Sequence, residues 1–222
     1  MVQAIVFDAY GTLFDVHSVE KKAEQLFPGN GREISERWRQ KQIEYTFLRQ
    51  LMGIYEPFSK VTTDSLRYTC KELELELGES DEQALRNEYL NLDVFQEAKG
   101  VLEGLNDYQR VIFSNGSRDM IEPLVSQSVI SSLIHKIISV NDYKQYKPVP
   151  ASYQSVLRNL NVKRDEVLFV SANGWDIIGA SAFGFRTAWV NRKHLPLEEL
   201  DVRPDIESAD LSGVLRLLNH TD

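Results

Sequence analysis

VFDAYGTLF, residues 6–14, runs an apolar stretch straight into a carboxylate, Asp8, and then into a glycine turn. A charge at the end of a buried strand is costly unless the site uses it, so Asp8 asks for a chemical role. The run that leads into it, Ala4 to Phe7, has no polar alternation, and similar short runs recur at Val111 to Phe113, Ile137 to Val140, Val167 to Val170 and Thr187 to Val190. Strands covered on both faces look like this, and helical patterns lie between most of them. The expected fold is therefore α/β, built on a parallel sheet.

One interval breaks that rhythm. Between about Val16 and Asp93 there is no convincing strand, only helical patterns such as Ile34, Trp38, Tyr45, Leu48 and Met52, then Leu66, Cys70, Leu73 and Leu77. Gly29 and Gly31 precede the first of these helices, but GNGREI lacks the third glycine of a dinucleotide fingerprint and reads as a helix-starting loop. The pattern predicts an all-helical module inserted after the first strand, beside the carboxyl ends of the strands, where open α/β sheets bind ligands.

Composition narrows the candidates. A chain of 222 residues can bury a real core, and 33 acidic against 25 basic residues, a net charge of −8 with no basic run, argues against nucleic acid as a partner. MVQAIVFD has neither a basic n-region nor a long apolar h-region, and no 18-residue apolar run follows; the expectation is a cytoplasmic protein without a membrane partner. Cys70 is the only cysteine, which excludes intrachain disulfides and Cys-based metal clusters, and its spacing with Leu66 and Leu73 predicts a buried structural thiol. The four histidines, His17, His135, His194 and His220, share no ligand spacing.

The polar residues fall in informative places. Asp8 ends the first strand, SNGS (Ser114–Ser117) the second, YKP (Tyr146–Pro148) follows the third, and SANGWD (Ser171–Asp176) ends the fourth. In a parallel sheet those ends lie on one edge, so residues far apart in sequence converge.

Asp8 with Gly11 and Thr12, Ser114 with Asn115, Lys147 with Pro148, and Asp176 resemble the four motifs of the haloacid dehalogenase superfamily in order and spacing. FDAYGTLFDVHS, WRQKQIEYTFLR, SNGS, YKP with Tyr153, and SANGWD are similar to the L-2-haloacid dehalogenase branch, over nearly the whole chain. The resemblance implies a Rossmann-like core of residues 1–15 and 94–222, a helical cap of residues 16–93, and commonly a homodimer. It also implies hydrolytic dehalogenation of short-chain (S)-2-haloacids to (R)-2-hydroxyacids and halide. Most of the superfamily resembles phosphatases with a second Asp two positions after the nucleophile, as acid for a leaving alkoxide; here that position is Tyr10. Halide needs no proton to leave, so Tyr10 suits carbon–halogen cleavage and handicaps phosphate-ester cleavage. Asn173 stands where an acid would help bind Mg²⁺, so no metal or other cofactor is expected.

Under that resemblance Asp8 attacks C2 of the substrate, forming an ester, and Lys147 holds its negative charge. Thr12, Ser171 and Tyr153 orient the pair, while Asn173 and Asp176 position and activate the hydrolytic water. Ser114 and the backbone amides after Asp8 hold the substrate carboxylate. Arg39, with Asn115 and Phe58, cradles the halide; Arg37 or Arg49 would replace Arg39 if the helix were rotated. Ile43, Trp175 and Tyr10 line the alkyl pocket. Two other readings are a Mg²⁺-dependent phosphatase of the same superfamily and a non-catalytic binding module; the latter would normally have lost the nucleophile or the lysine, and this chain keeps both.

Overall fold

The structure, a computed structural model, describes residues 1–218. A parallel six-stranded sheet forms the centre, in the order β5-β4-β1-β6-β7-β8. Its strands are β1 (Ala4–Phe7), β4 (Gln109–Ser114), β5 (Lys136–Ser139), β6 (Val167–Ser171), β7 (Arg186–Val190) and β8 (Ile206–Ser208). Every residue of β1 is buried, as its unbroken apolar run requires of a strand covered on both faces. Five of the six strands match the apolar runs of the sequence, and β8 is an addition: a three-residue edge strand with one apolar residue, too short and too exposed to leave a pattern.

From β1 the chain builds outward on one side through β4 and β5, then returns to lay β6, β7 and β8 on the other. Asp8 thus follows the strand at which the winding direction reverses, where the carboxyl ends of neighbouring strands splay apart and leave a crevice. Helices α5 (Ala98–Gly104), α6 (Arg118–Ser126), α7 (Pro150–Leu160), α8 (Gly174–Phe183) and α9 (Ser212–Leu218) flank the sheet.

The helical interval lies between two short antiparallel strands, β2 (Phe14–Asp15) and β3 (Asp93–Val94), which pair Phe14 with Val94 and Asp15 with Asp93. The chain therefore leaves and re-enters the sheet region at one place. Between them stand α1 (Glu20–Leu26), α2 (Gly31–Met52), α3 (Phe58–Glu72) and α4 (Glu79–Glu88). Gly31 opens α2 where a Cβ would meet the Glu24 backbone within 2.8 Å, so the glycine serves close helix approach.

The buried stripe of α2 departs from the spacing expected of it. It follows Ile34, Ser35, Trp38, Gln42 and Thr46, while Leu48 and Met52 face outward. The polar members are satisfied: Gln42 donates to Thr62 Oγ1 at 3.2 Å and accepts from Tyr89 Oη at 3.1 Å, and Trp38 Nε1 donates to the Thr62 carbonyl at 2.8 Å. Cys70 is buried on α3, and Leu73 and Leu77 lie beyond that helix's last turn, half-buried.

Candidate active site

Asp8 enters a tight turn in which Ala9 O accepts from the amides of Thr12, Leu13 and Phe14, and Gly11 takes φ +87°, a left-handed conformation suited to glycine. Arg192, whose role sequence reasoning missed, clamps this turn from β7's end by donating to Gly11 O and Thr12 O at 3.1 and 3.0 Å. Its own charge is met by Glu97 at 2.7 Å. The result is a carboxylate held on a rigid mount, 4% exposed.

Four strand ends meet around it. Lys147 Nζ donates to Asp8 Oδ1 at 2.9 Å, to Asp176 Oδ2 at 2.6 Å and to Phe113 O at 3.2 Å, and is wholly buried between the Phe113 and Phe169 rings. Asp8 Oδ2 accepts from Asn173 Nδ2 at 2.7 Å, from Thr12 Oγ1 at 3.1 Å and, at the longer distance of 3.5 Å, from Ser171 Oγ. Thr12 Oγ1 in turn accepts from Ala172 N, tying the first strand's turn to the loop after β6. Tyr153 Oη donates to Asp176 Oδ1 at 2.8 Å.

The electrostatics follow from burial and pairing. Burial alone would push the Lys147 ammonium down, but Asp176 and Asp8, by charge and hydrogen bond, outweigh it and raise the group above its ordinary value. Burial pushes Asp176 up to about 6; Lys147 pulls it back and the Asp8 charge pushes it up further. Burial also drives the Tyr10 and Tyr153 phenols far up, so both stay protonated; Tyr153 donates to Asp176, while the buried Tyr10 hydroxyl finds no partner among the described residues.

A cavity of about 10 Å³, the room one water needs, opens directly on this cluster. Asp8, Tyr10, Arg39, Ile43, Phe58, Asn115, Asn173 and Trp175 line it, all residues singled out from the sequence. Thr46 lines it too and was missed, although its spacing from Arg39 and Ile43 along α2 is helical. Arg39 Nη2 donates to Tyr10 O at 3.3 Å and Nη1 to Gln42 Oε1 at 3.5 Å. Its rivals are engaged elsewhere: Arg37 pairs with Glu33 and Glu72, and Arg49 with Asp64. Asn115 Oδ1 accepts from Lys147 N, which leaves its Nδ2 as the donor for the cavity.

Several placements differ from the expected ones. Ser114 is fully buried, does not line the cavity, and its Oγ accepts from Gly116 N. Asp176 lies behind Lys147 with both carboxylate oxygens engaged, and Asn173 grips Asp8 itself and Tyr10 O. Gly11 N and Thr12 N are used inside the turn. His135 accepts from Arg110 N, His17 meets Ser35, His194 is exposed, and His220 lies outside the described residues. Among the described residues no group of three or more His, Cys, Asp or Glu side chains has the arrangement to hold a metal ion.

Comparison with known proteins agrees with this geometry. Residues 2–184 match the family model for haloacid dehalogenase-like hydrolases. The (S)-2-haloacid dehalogenase 2 of Pseudomonas sp. (strain CBS-3) is 43% identical over 98% of this chain and 96% of its own. The solved structure of L-2-haloacid dehalogenase from Xanthobacter autotrophicus superposes with a TM-score of 0.96 at 38% identity, covering all of both chains, and the same enzyme with chloropropionic acid covalently bound gives 0.95. The chain belongs to the haloacid dehalogenase-like hydrolases, in the group of the (S)-2-haloacid dehalogenases.

Proposed function

We propose that the protein hydrolyses short-chain (S)-2-haloacids to (R)-2-hydroxyacids and halide through an ester on Asp8, without a metal. One observation carries the reading: a carboxylate nucleophile, braced on one oxygen by an ammonium and on the other by an amide and a hydroxyl, faces a small apolar cavity that also holds an arginine with no carboxylate partner among the described residues.

An Asp8 oxygen attacks C2 in line, and the carbon–halogen bond breaks with its electron pair leaving as halide, which inverts C2. Arg39 and the Asn115 amide receive the halide beside the Phe58 ring. The substrate carboxylate is met by the amides of Ala9 and Tyr10, which make none of the turn's internal bonds, and Tyr10, Ile43 and Trp175 enclose the alkyl group. Water held near Asn173 then attacks the Asp8 carbonyl carbon. Asp176, basic enough near neutral pH, takes its proton through the Ser171 hydroxyl, which lies 3.5 Å from Asp8 Oδ2 and 3.3 Å from Asp176 Oδ2. Collapse expels the 2-hydroxyacid, whose oxygen recovers that proton from Asp176, and the Asp8 carboxyl, now carrying the water's oxygen, releases the water's second proton to solvent to regenerate the carboxylate.

The Mg²⁺ phosphatase reading fares worse here, because the Tyr10 phenol, driven far up by burial, is a poor acid for a leaving alkoxide, and Asn173 rather than a carboxylate stands beside Asp8. We further assign residues 16–93 as a cap on a core of 1–15 and 94–222. A homodimer fits the exposed Leu48, Leu51, Met52, Ile54 and Tyr68 on and near α2 and α3. No described helix is long and apolar enough to cross a membrane, in keeping with a cytoplasmic enzyme.

Single-turnover reaction in ¹⁸O water tests the mechanism. The label should enter Asp8, and Asp8→Asn should fold but release almost no halide. Label appearing first in the hydroxyacid would mean that water attacks C2 directly.

A further inference from the structure

A second, larger crevice of about 370 Å³ adjoins the reaction cavity, and the mechanism gives it no task. Arg39, Ile43 and Asn173 line both spaces and so form the wall between them, while His17, Lys193 and Leu195 line the outer side. The inner cavity has room for about one water, so a haloacid must cross some part of its wall. Asn173 is pinned by two hydrogen bonds, at 2.7 and 3.1 Å. Among the described residues Arg39 is held by hydrogen bonds no shorter than 3.3 and 3.5 Å.

The helical layer is also fastened unevenly. Away from the crevice it is tied to the sheet's loops by Tyr146 Oη to Glu56 O at 2.6 Å, Tyr146 N to Gln50 Oε1 at 2.8 Å, Tyr55 Oη to Asn141 Oδ1 at 3.0 Å and Ser59 N to Ser117 Oγ at 3.1 Å. On the crevice side the two chain crossings, joined by the β2–β3 pair, hold the layer in place, and the side-chain ties are the long Arg39 contact to Tyr10 O and Lys193 Nζ to His17 Nε2, at 3.3 Å each. What yields most easily there is the Arg39 side chain, not the layer.

Charge supplies the second argument. The chain carries net charge −8, which repels an anion at long range, so an anionic substrate needs a locally positive approach. Lys41, Lys60 and Lys99 each face a carboxylate, whereas Lys193 faces an imidazole. An ammonium only donates, so His17 Nε2 accepts and the ring is neutral, with Nδ1–H donating to Ser35 Oγ at 3.1 Å. Burial and the nearby Lys193 hold the imidazole below its usual range, against the opposing charges of Asp15 and Glu36. His17 thus tethers Lys193 without neutralising it. Arg192, also on the crevice, is neutralised by Glu97, and Asp15 is the carboxylate in its lining.

We propose that this crevice is the route by which the 2-haloacid anion enters and halide and hydroxyacid leave, with Lys193 as its collecting charge and Arg39 and Ile43 as its inner gate. The proposal rests on the dehalogenase reading above.

Its test is steady-state halide release from L-2-chloropropionate by the full chain bearing Lys193→Glu, Leu195→Trp or, as a control on the exposed face of α5, Lys99→Glu. At about 0.01 M ionic strength, where charges act over about 30 Å, Lys193→Glu should lower kcat/KM about fivefold, leaving kcat within about twofold. At about 1 M, where the range is about 3 Å, the deficit should fall below about twofold. Leu195→Trp narrows the crevice sterically and should lower kcat/KM at both salt concentrations, while Lys99→Glu should match the wild type. The route is overturned if Lys193→Glu behaves like Lys99→Glu at low salt, or if its deficit persists at high salt with kcat falling in parallel. Wild-type protein that releases no halide would instead overturn the dehalogenase reading on which the route depends.

Discussion

Replacing Lys147 by methionine keeps much of the stem's volume and deletes one buried ammonium. The nitrogen lies 2.9 Å from Asp8 and 2.6 Å from Asp176, gross attractions of about 6 kcal/mol each at an effective dielectric constant of about 20. Most of that is offset in the wild type by the desolvation of three charges, but removing the cation leaves two buried carboxylates uncompensated. A broken buried pair costs about 3–5 kcal/mol, which for a chain of this size lowers Tm by roughly 10 °C. The pH dependence has a definite sign. Asp176 is already pushed up to about 6 by burial, and Lys147 is the main influence pulling it back, so its folded value rises further in the variant. An acid whose folded pKa exceeds its unfolded one, about 3.9, loses stability as pH rises through the folded value and recovers it as pH falls. Urea unfolding followed by tryptophan fluorescence should therefore show the full deficit at pH 8 and a clearly smaller one at pH 5. A variant within about 1 kcal/mol of wild type at pH 8, or an equal deficit at both pH values, refutes the idea that Lys147 compensates both carboxylates.

Further outcomes follow from the same geometry. Asp176 must be ionised to accept a proton during ester hydrolysis, so kcat for L-2-chloropropionate should rise with pH through about 6, and a kcat profile flat from pH 5 to 7 would remove Asp176 as the base. Arg39→Lys replaces a planar fork by a point charge and should cost about tenfold or more in kcat; near wild-type turnover would move halide stabilisation to another residue. Dialysis against EDTA should leave halide release unchanged, and added Mg²⁺ should not create efficient phosphatase activity. Loss of activity restored by Mg²⁺ would return the phosphatase reading.

The parts of the fold that could be read from sequence were the strands whose apolar stretches are mostly buried. β1, β4 and β6 are nearly continuous apolar runs, and because parallel strands place their carboxyl ends on one edge, Asp8, Asn115 and Ser171 could be brought together without coordinates. Two-residue strands such as β2 and β3 carry no periodicity to read. Along α2 the apolar residues mislead, because the layer buries Gln42 and Thr46 through hydrogen bonds and turns Leu48 and Met52 outward; a helix's rotation depends on partners absent from its own pattern. For that reason Arg37, Arg39 and Arg49 could not be separated by spacing, and only the carboxylates beside the first and last of these single out Arg39. Ser114 shows the opposite failure: its motif points to the site, but a local bond to Gly116 N claims its oxygen.

Cys70 acquires a meaning beyond packing once the proposed substrates are considered as reagents. Short 2-haloacids, the bromo and iodo compounds above all, alkylate thiolates, so such an enzyme works in a solution of its own potential inactivators. The lone cysteine is 1% exposed, and burial, with Glu82 nearby, pushes its thiol up to about 11. Only about one molecule in ten thousand carries the thiolate at pH 7, and that one sits under α3's packing where a haloacid cannot approach. The protein can thus concentrate its nucleophilic reactivity toward these compounds in one carboxylate, whose alkylation is undone by water at every turnover.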